Sequence, residues 1–175
     1  MSLSLADLDD MPAERAARLL ASCCGAGAWV KGMLERRPFG DVKSLLSAAD
    51  EVWQALAASD WLEAFAHHPR IGERYASVAQ EARARTWSAG EQADVRDAKE
   101  AVRRELDLNN ALYEQRFGHI YIVSASGRTA DELLAILHAR LSNDPETELR
   151  VAADEQAKIT KLRLLKLLGL PEPSP

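Results

Sequence analysis

The stretch Phe65-Ala66-His67-His68-Pro69-Arg70-Ile71-Gly72 decides how the rest of the chain is read. Ahead of it, Ser59-Asp60-Trp61-Leu62-Glu63-Ala64-Phe65 reads as a short helix. Pro69 forbids that helix from continuing, because its ring biases the preceding residue away from the α region. His68 therefore stands at a helix end, on a stiff backbone whose direction Pro69 fixes. Histidine is the side chain whose unperturbed pKa lies near neutrality, so one held this way is a natural proton donor or acceptor. It is also suited to a plain structural duty, bonding the last free carbonyls of the helix.

Working outward, helix signals dominate on both sides. Toward the N-terminus, Pro12 suits a first helical position, Leu19-Leu20 follow, and Gly25 marks a break. A second helix runs from about Gly27 to Glu35 and stops before Pro38. Asp41 or Ser44 opens a third, with Leu45, Leu46, Ala49, Val52, Trp53 and Leu56 at three- and four-residue spacing. Beyond the histidines, residues 72–85 are weakly helical and highly charged. A long polar helix then runs from about Ala89 to Gln115, with Ser88-x-x-Glu91 in the form of a capping box. Phe117-Gly118 reads as its exit.

Ile120-Tyr121-Ile122-Val123 is strand-like but short and without a partner strand, which predicts an extended segment packed on helices. Thr129-x-x-Glu132 is a second capping box, opening a helix to about Leu141. Asp144-Pro145 is an N-cap followed by proline at the first helical position, and the last helix runs to about Leu168 before Gly169 and Pro171. The expected architecture is all-α: a single-domain multi-helix bundle over residues 1–170, one short extended segment near 120–125, and a disordered tail at 171–175.

Composition narrows the function. The 175 residues suffice for one domain with a sizeable core; 47% are apolar and 28% charged, the profile of a globular chain. A net charge of −5 argues against nonspecific binding to nucleic acid or an anionic membrane. No apolar run approaches the roughly 18 residues of a membrane span. The acidic start, Met1 to Asp7, lacks the basic segment of a signal peptide, so the expected location is the cytoplasm. The adjacent Cys23 and Cys24 offer neither a disulfide framework nor zinc spacing, and read as buried thiols.

Nothing has the pattern of a phosphate loop, a dinucleotide-binding glycine fingerprint, a metal cluster or a serine nucleophile elbow. Acid–base groups and hydrogen bonding are the chemistry that remains. Glu91 serves either as a helix cap or, at a helix start with free amides and a positive dipole end, beside a bound polar ligand. Arg163 shares a helix face with Ile159, Leu167 and Gln156, and a cation there needs a partner, an internal carboxylate or a substrate. His119 and His138 read as packing or surface residues.

Taken in order, these stretches resemble one family, the 2-oxo-4-hydroxy-4-carboxy-5-ureidoimidazoline (OHCU) decarboxylases of purine breakdown. The resemblance runs from Cys24-Gly25 to Trp29 and Arg37-Pro38-Phe39, through Phe65 to Gly72 and Ser88-Ala89-Gly90-Glu91-Gln92. It continues with Asn110-x-x-Tyr113, Phe117 to Val123 and Ala125-Ser126-Gly127-Arg128. Arg140-Leu141-Ser142-Asn143 and Glu155-x-x-Lys158-Ile159-x-x-Leu162-Arg163-Leu164 complete it.

The resemblance implies a cofactor-free carboxy-lyase without a metal, a homodimer acting on a small-molecule substrate, with (S)-allantoin as product. Carried over by position, it makes His68, Glu91 and Arg163 catalytic, and assigns Pro69, Ser88, Gln92 and Val123 to substrate binding. It also implies that His68, Glu91 and Arg163 share a pocket. An extra histidine, His67, stands just ahead of the family's own. Two other readings fit the residues: an acid–base lyase or hydrolase for another ureido or imidazoline compound, and a non-catalytic helical interaction module.

Overall fold

The computed structural model describes residues 3–71 and 91–171, and for residues 91–98 the backbone alone. Ser88, residues 72–85 and most of the predicted tail therefore lie outside the described residues, as do the side chains of Glu91 and Gln92. Among the described residues there are eight helices and no strand. They are α1 (Leu5–Asp10), α2 (Ala13–Cys23), α3 (Gly27–Glu35), α4 (Val42–Gln54), α5 (Ala58–Ala66), α6 (Glu91–Phe117), α7 (Ala130–Arg140) and α8 (Pro145–Leu167). The all-α expectation holds, and most helix limits fall within two residues of those read from capping and proline signals.

Local chemistry explains the limits. Asp41, not Ser44, opens α4: its Oδ1 accepts the Ser44 amide at 2.7 Å. Thr129 and Glu132 form the expected capping box at the head of α7, the Glu132 amide reaching Thr129 Oγ1 at 3.2 Å and the Thr129 amide reaching Glu132 Oε2 at 2.7 Å. Asp144 accepts the Thr147 amide at 3.0 Å and heads α8. Gly118 and Gly169 adopt left-handed φ values of 75° and 66° at the exits of α6 and α8, where a side chain would be strained. Helix α1 went unread in the sequence, although Ser4 and Asp7 form a capping box there.

The chain divides into two compact units, Met1–His67 with Ala153–Pro175 and His68–Ala152. In the first, Leu20, Trp29, Met33, Leu45, Trp53 and Phe65 form a fully buried core. The indoles bury their rings and satisfy their N–H groups: Trp29 Nε1 donates to Ala49 O at 3.1 Å and Trp53 Nε1 to Ala153 O at 2.9 Å. Gly32 allows α3 and α4 to meet, since a Cβ there would stand 2.6 Å from Val52 Cγ1.

In the second unit, Leu106 and Tyr113 of α6 pack with Leu133, Leu134 and Leu137 of α7. Tyr121 and Val123 join them from the run at 120–125, which is neither helix nor strand. With Val102 and Phe117 packed against the same cluster, these α6 residues stand four or seven positions apart, on one face of a polar helix.

Candidate functional site

The opening stretch is built from the end of α5. Past Ala66 the chain tightens, the His67 amide donating to Ala64 O at 3.2 Å. The His67 ring then donates from Nδ1 to Glu63 O at 2.9 Å, a carbonyl that can only accept. The carbonyl-capping duty open to a histidine at this position thus belongs to His67. His68 follows outside the helix, half-buried, with Pro69 exposed.

Two residues further on, Arg70 forks onto Glu114 of α6. Its Nε lies 2.6 Å from Oε1 and its Nη2 2.8 Å from Oε2. Hydrogen bonding to Arg70 holds the Glu114 carboxyl below the usual carboxylate range. Ile71 is buried in the core of this unit. Arg70, Asn110 and Glu114 line a cleft of about 710 Å³, with Asp107, Ala111 and Gln115 along the same helix.

The 120–125 segment is anchored by a buried polar network. Arg140 places Nη1 2.7 Å from Ile122 O, and its Nε and Nη2 reach Glu148 Oε1 at 2.8 and 2.5 Å. Tyr113 donates its hydroxyl to the same carboxylate, and Asn143 Nδ2 donates to Glu148 Oε2 at 2.8 Å. The Arg140 guanidinium also lies over the Tyr121 ring, 4.9 Å from its centroid. Burial and the Glu148 carboxylate push the Tyr113 hydroxyl pKa well above its ordinary value. His119 sits half-buried edge-on to Tyr113, 5.5 Å between centroids. Burial lowers its pKa, partly opposed by the bond from Nδ1 to Ile120 O. His119 is a packing residue, as expected, and His138 is exposed.

Arg163 belongs to the other unit. Its Nη1 donates to Cys23 O at 3.2 Å, a carbonyl in the last turn of α2 that has no helical partner. One partner of this half-buried cation is therefore a backbone carbonyl, where the sequence offered a carboxylate or a substrate. On the same helix Gln156 Nε2 bonds Thr160 Oγ1 at 3.1 Å, both side chains buried. Cys23 and Cys24 are buried as expected, and burial pushes both thiols up to about 11.

Of the residues named from the sequence, His68, Pro69, Val123 and the backbone of Glu91 and Gln92 lie in one unit, and Arg163 in the other. Val123 turns its side chain into the core, leaving only backbone groups for a ligand. Sequence reasoning gave no role to Arg140, Glu148 or Asn143. Arg140-Leu141-Ser142-Asn143 carried the signal, but Glu148 stands eight positions from Arg140 on another helix. Among the described residues, no group of three or more histidine, cysteine or acidic side chains is arranged to hold a metal.

Comparison with known proteins fits the helical fold. Residues 9–165 match the OHCU decarboxylase family. The chain is 37% identical over 147 residues to the uric acid degradation bifunctional protein TTL of Arabidopsis thaliana, covering 84% of this chain and 45% of that protein. It is 29% identical over 138 residues to the 2-oxo-4-hydroxy-4-carboxy-5-ureidoimidazoline decarboxylase of Amia calva, covering 77% of each. A crystal structure of OHCU decarboxylase in the presence of (S)-allantoin superposes with a TM-score of 0.70 at 35% identity, covering 91% of this chain and 99% of that one. The all-helical architecture of the described residues agrees with that of the matched structure. The chain belongs to the OHCU decarboxylase family. It spans less than half the length of the bifunctional curated relatives it matches.

Proposed function

We propose that this protein decarboxylates 2-oxo-4-hydroxy-4-carboxy-5-ureidoimidazoline to (S)-allantoin in urate breakdown, without a cofactor. The observation that carries the reading is the family match across residues 9–165, which includes the histidine–proline stretch and Arg163. That match runs through both compact units, which supports residues 1–170 acting as one functional domain.

The chemistry follows from the substrate. The carboxylate to be lost sits on a carbon beside the conjugated ring. When its carbon–carbon bond breaks, CO2 leaves and the electron pair delocalises into the ring. The protein must hold that bond in line with the π-system, a matter of positioning. It must stabilise enolate-like charge, for which the Arg163 guanidinium and backbone amides are suited. It must then deliver a proton to one face, which sets the handedness of the product.

We assign the proton transfers to His68. Glu91 and Ser88, with Gln92, hold the ring and ureido groups; Arg163 binds a substrate carbonyl; Pro69 and the backbone at Val123 keep the ring in place. A hydrogen bond from the imidazole to Glu91 would set its tautomer. The reading extends to a homodimer in the cytoplasm. The leucines at 108 and 112 of α6, 66% and 54% exposed, are the apolar surface that supports a second copy. Among the described residues no helix is long and apolar enough to cross a membrane.

The test is to generate the unstable substrate from urate with upstream enzymes, add the protein and follow optical activity by circular dichroism. Rapid formation of one allantoin enantiomer supports the reading; a slow racemic product from folded protein overturns it. His68→Ala is expected to keep its fold and lose the acceleration.

A further inference from the structure

We propose that His67 is a positioning residue for His68. Its imidazole fastens the end of α5 onto the turn between α2 and α3, and so fixes the backbone from which His68 departs. The inference rests on the assignment of proton transfer to His68.

Three contacts carry it. The His67 ring donates from Nδ1 to Glu63 O at 2.9 Å, closing the last turn of α5. The same ring lies directly over Gly25: a Cβ there would stand 2.4 Å from His67 Cγ, 2.6 Å from Nδ1 and 2.8 Å from Cβ. Real Cβ atoms do not approach so closely, so the imidazole occupies the space that any other residue at 25 would need. Beside it, the Gly27 amide donates to Glu63 Oε2 at 3.3 Å. Glu63 thus ties α5 to the turn by its carboxylate, while its carbonyl holds the ring that seats on Gly25.

The consequence concerns one peptide bond. His68 is restrained on its far side by Pro69, whose ring fixes φ and stiffens the residue before it. On its near side the restraint is His67, held at its amide by Ala64 O and at its ring by Glu63 O and Gly25. An imidazole that delivers a proton to one face of a ring must be held to within about half an ångström. The extra histidine therefore does through its neighbour what it does not do itself.

A double-mutant cycle between Gly25 and His67 tests this, with kcat and KM read from allantoin formation by circular dichroism and melting temperature measured alongside. His67→Ala is expected to lower kcat about tenfold while KM stays within about twofold, since misplacement acts on the reacting geometry. His67→Asn, an alternative residue at a helix exit, restores part of the loss. Gly25→Ala lowers kcat when His67 is present, because the methyl displaces the ring, and adds less than about twofold in the His67→Ala background.

Unchanged kcat in His67→Ala, with only a lower melting temperature, overturns the inference. So do additive effects of Gly25→Ala and His67→Ala. His68→Ala separates proton transfer from positioning: if it is as active as the unaltered protein, both the site assignment and this inference fall. If His68→Ala is inactive and His67→Ala is unimpaired, this inference falls alone.

Discussion

Arg140 and Glu148 form an ion pair with 7% and 0% side-chain exposure, eight positions apart on consecutive helices. Both charges are hydrogen-bonded: the guanidinium to the carboxylate and Ile122 O, the carboxylate to Tyr113 and Asn143 as well. Removing one partner leaves the other charged and dry, which costs about 3–5 kcal/mol. Arg140→Ala and Glu148→Ala are therefore each expected to lose that much in urea unfolding. The paired replacement Arg140→Met with Glu148→Leu recovers most of it, because no lone charge remains. A loss under about 1 kcal/mol in either single variant would refute the network as the anchor of the 120–125 segment.

His119 makes stability depend on pH. Its folded pKa lies below 6.5 because burial disfavours the imidazolium, with Arg140 adding to the effect and Glu148 and the Ile120 carbonyl opposing it. On acidification the unfolded chain takes up the proton first. The contribution to stability is thus complete above about pH 6.5 and falls away as pH drops through the folded value. Urea midpoints measured from pH 7.5 to 5 should decline less in His119→Gln than in the unaltered protein. An NMR titration placing His119 at or above 6.5 contradicts this.

Cys23 and Cys24 are expected to be slow to modify. With both thiols pushed up to about 11 by burial, the thiolate fraction at pH 8 is a few hundredfold below that of a free cysteine. A disulfide exchange reagent should find almost no reactive thiol in the native protein and two after denaturation. Fast labelling of either cysteine in the folded state would count against the burial.

Arg163 distinguishes charge from geometry within the decarboxylase reading. Its Nη1 is engaged by Cys23 O, so the fork is already oriented by the protein. Lysine keeps the charge but not the planar fork. Arg163→Lys is accordingly expected to lower kcat/KM about a hundredfold with a small change in melting temperature. Near-normal activity would show that a point charge suffices.

Much of the helical skeleton was legible because its signals are local. Pro69 keeps the chain from resuming the helix that stops at Ala66; Thr129 and Glu132 cap α7 across three residues; Gly118 supplies a left-handed exit by lacking a Cβ. Asp41 and Ser44 were indistinguishable as openers of α4, since both can accept an amide proton and only the folded turn shows which one does. Helix α1 was missed because six residues carry too little periodicity to stand out. The site was legible mainly as resemblance: spacing alone left His68 between a cap and a proton carrier.

By itself the sequence determined the all-α class, most helix limits and the family, since backbone sterics, capping and ordered motifs act within a few residues of chain. Tertiary structure alone decided which side chains share a hydrogen bond. It set Arg140 between Glu148 and the Ile122 carbonyl, brought Trp53 to the Ala153 carbonyl, and laid the His67 ring on Gly25. No spacing rule encodes such partners, because each follows from the packing of whole helices, a sum over many weak contacts. That packing gives the capping contact to His67 and leaves His68 beyond the helix end.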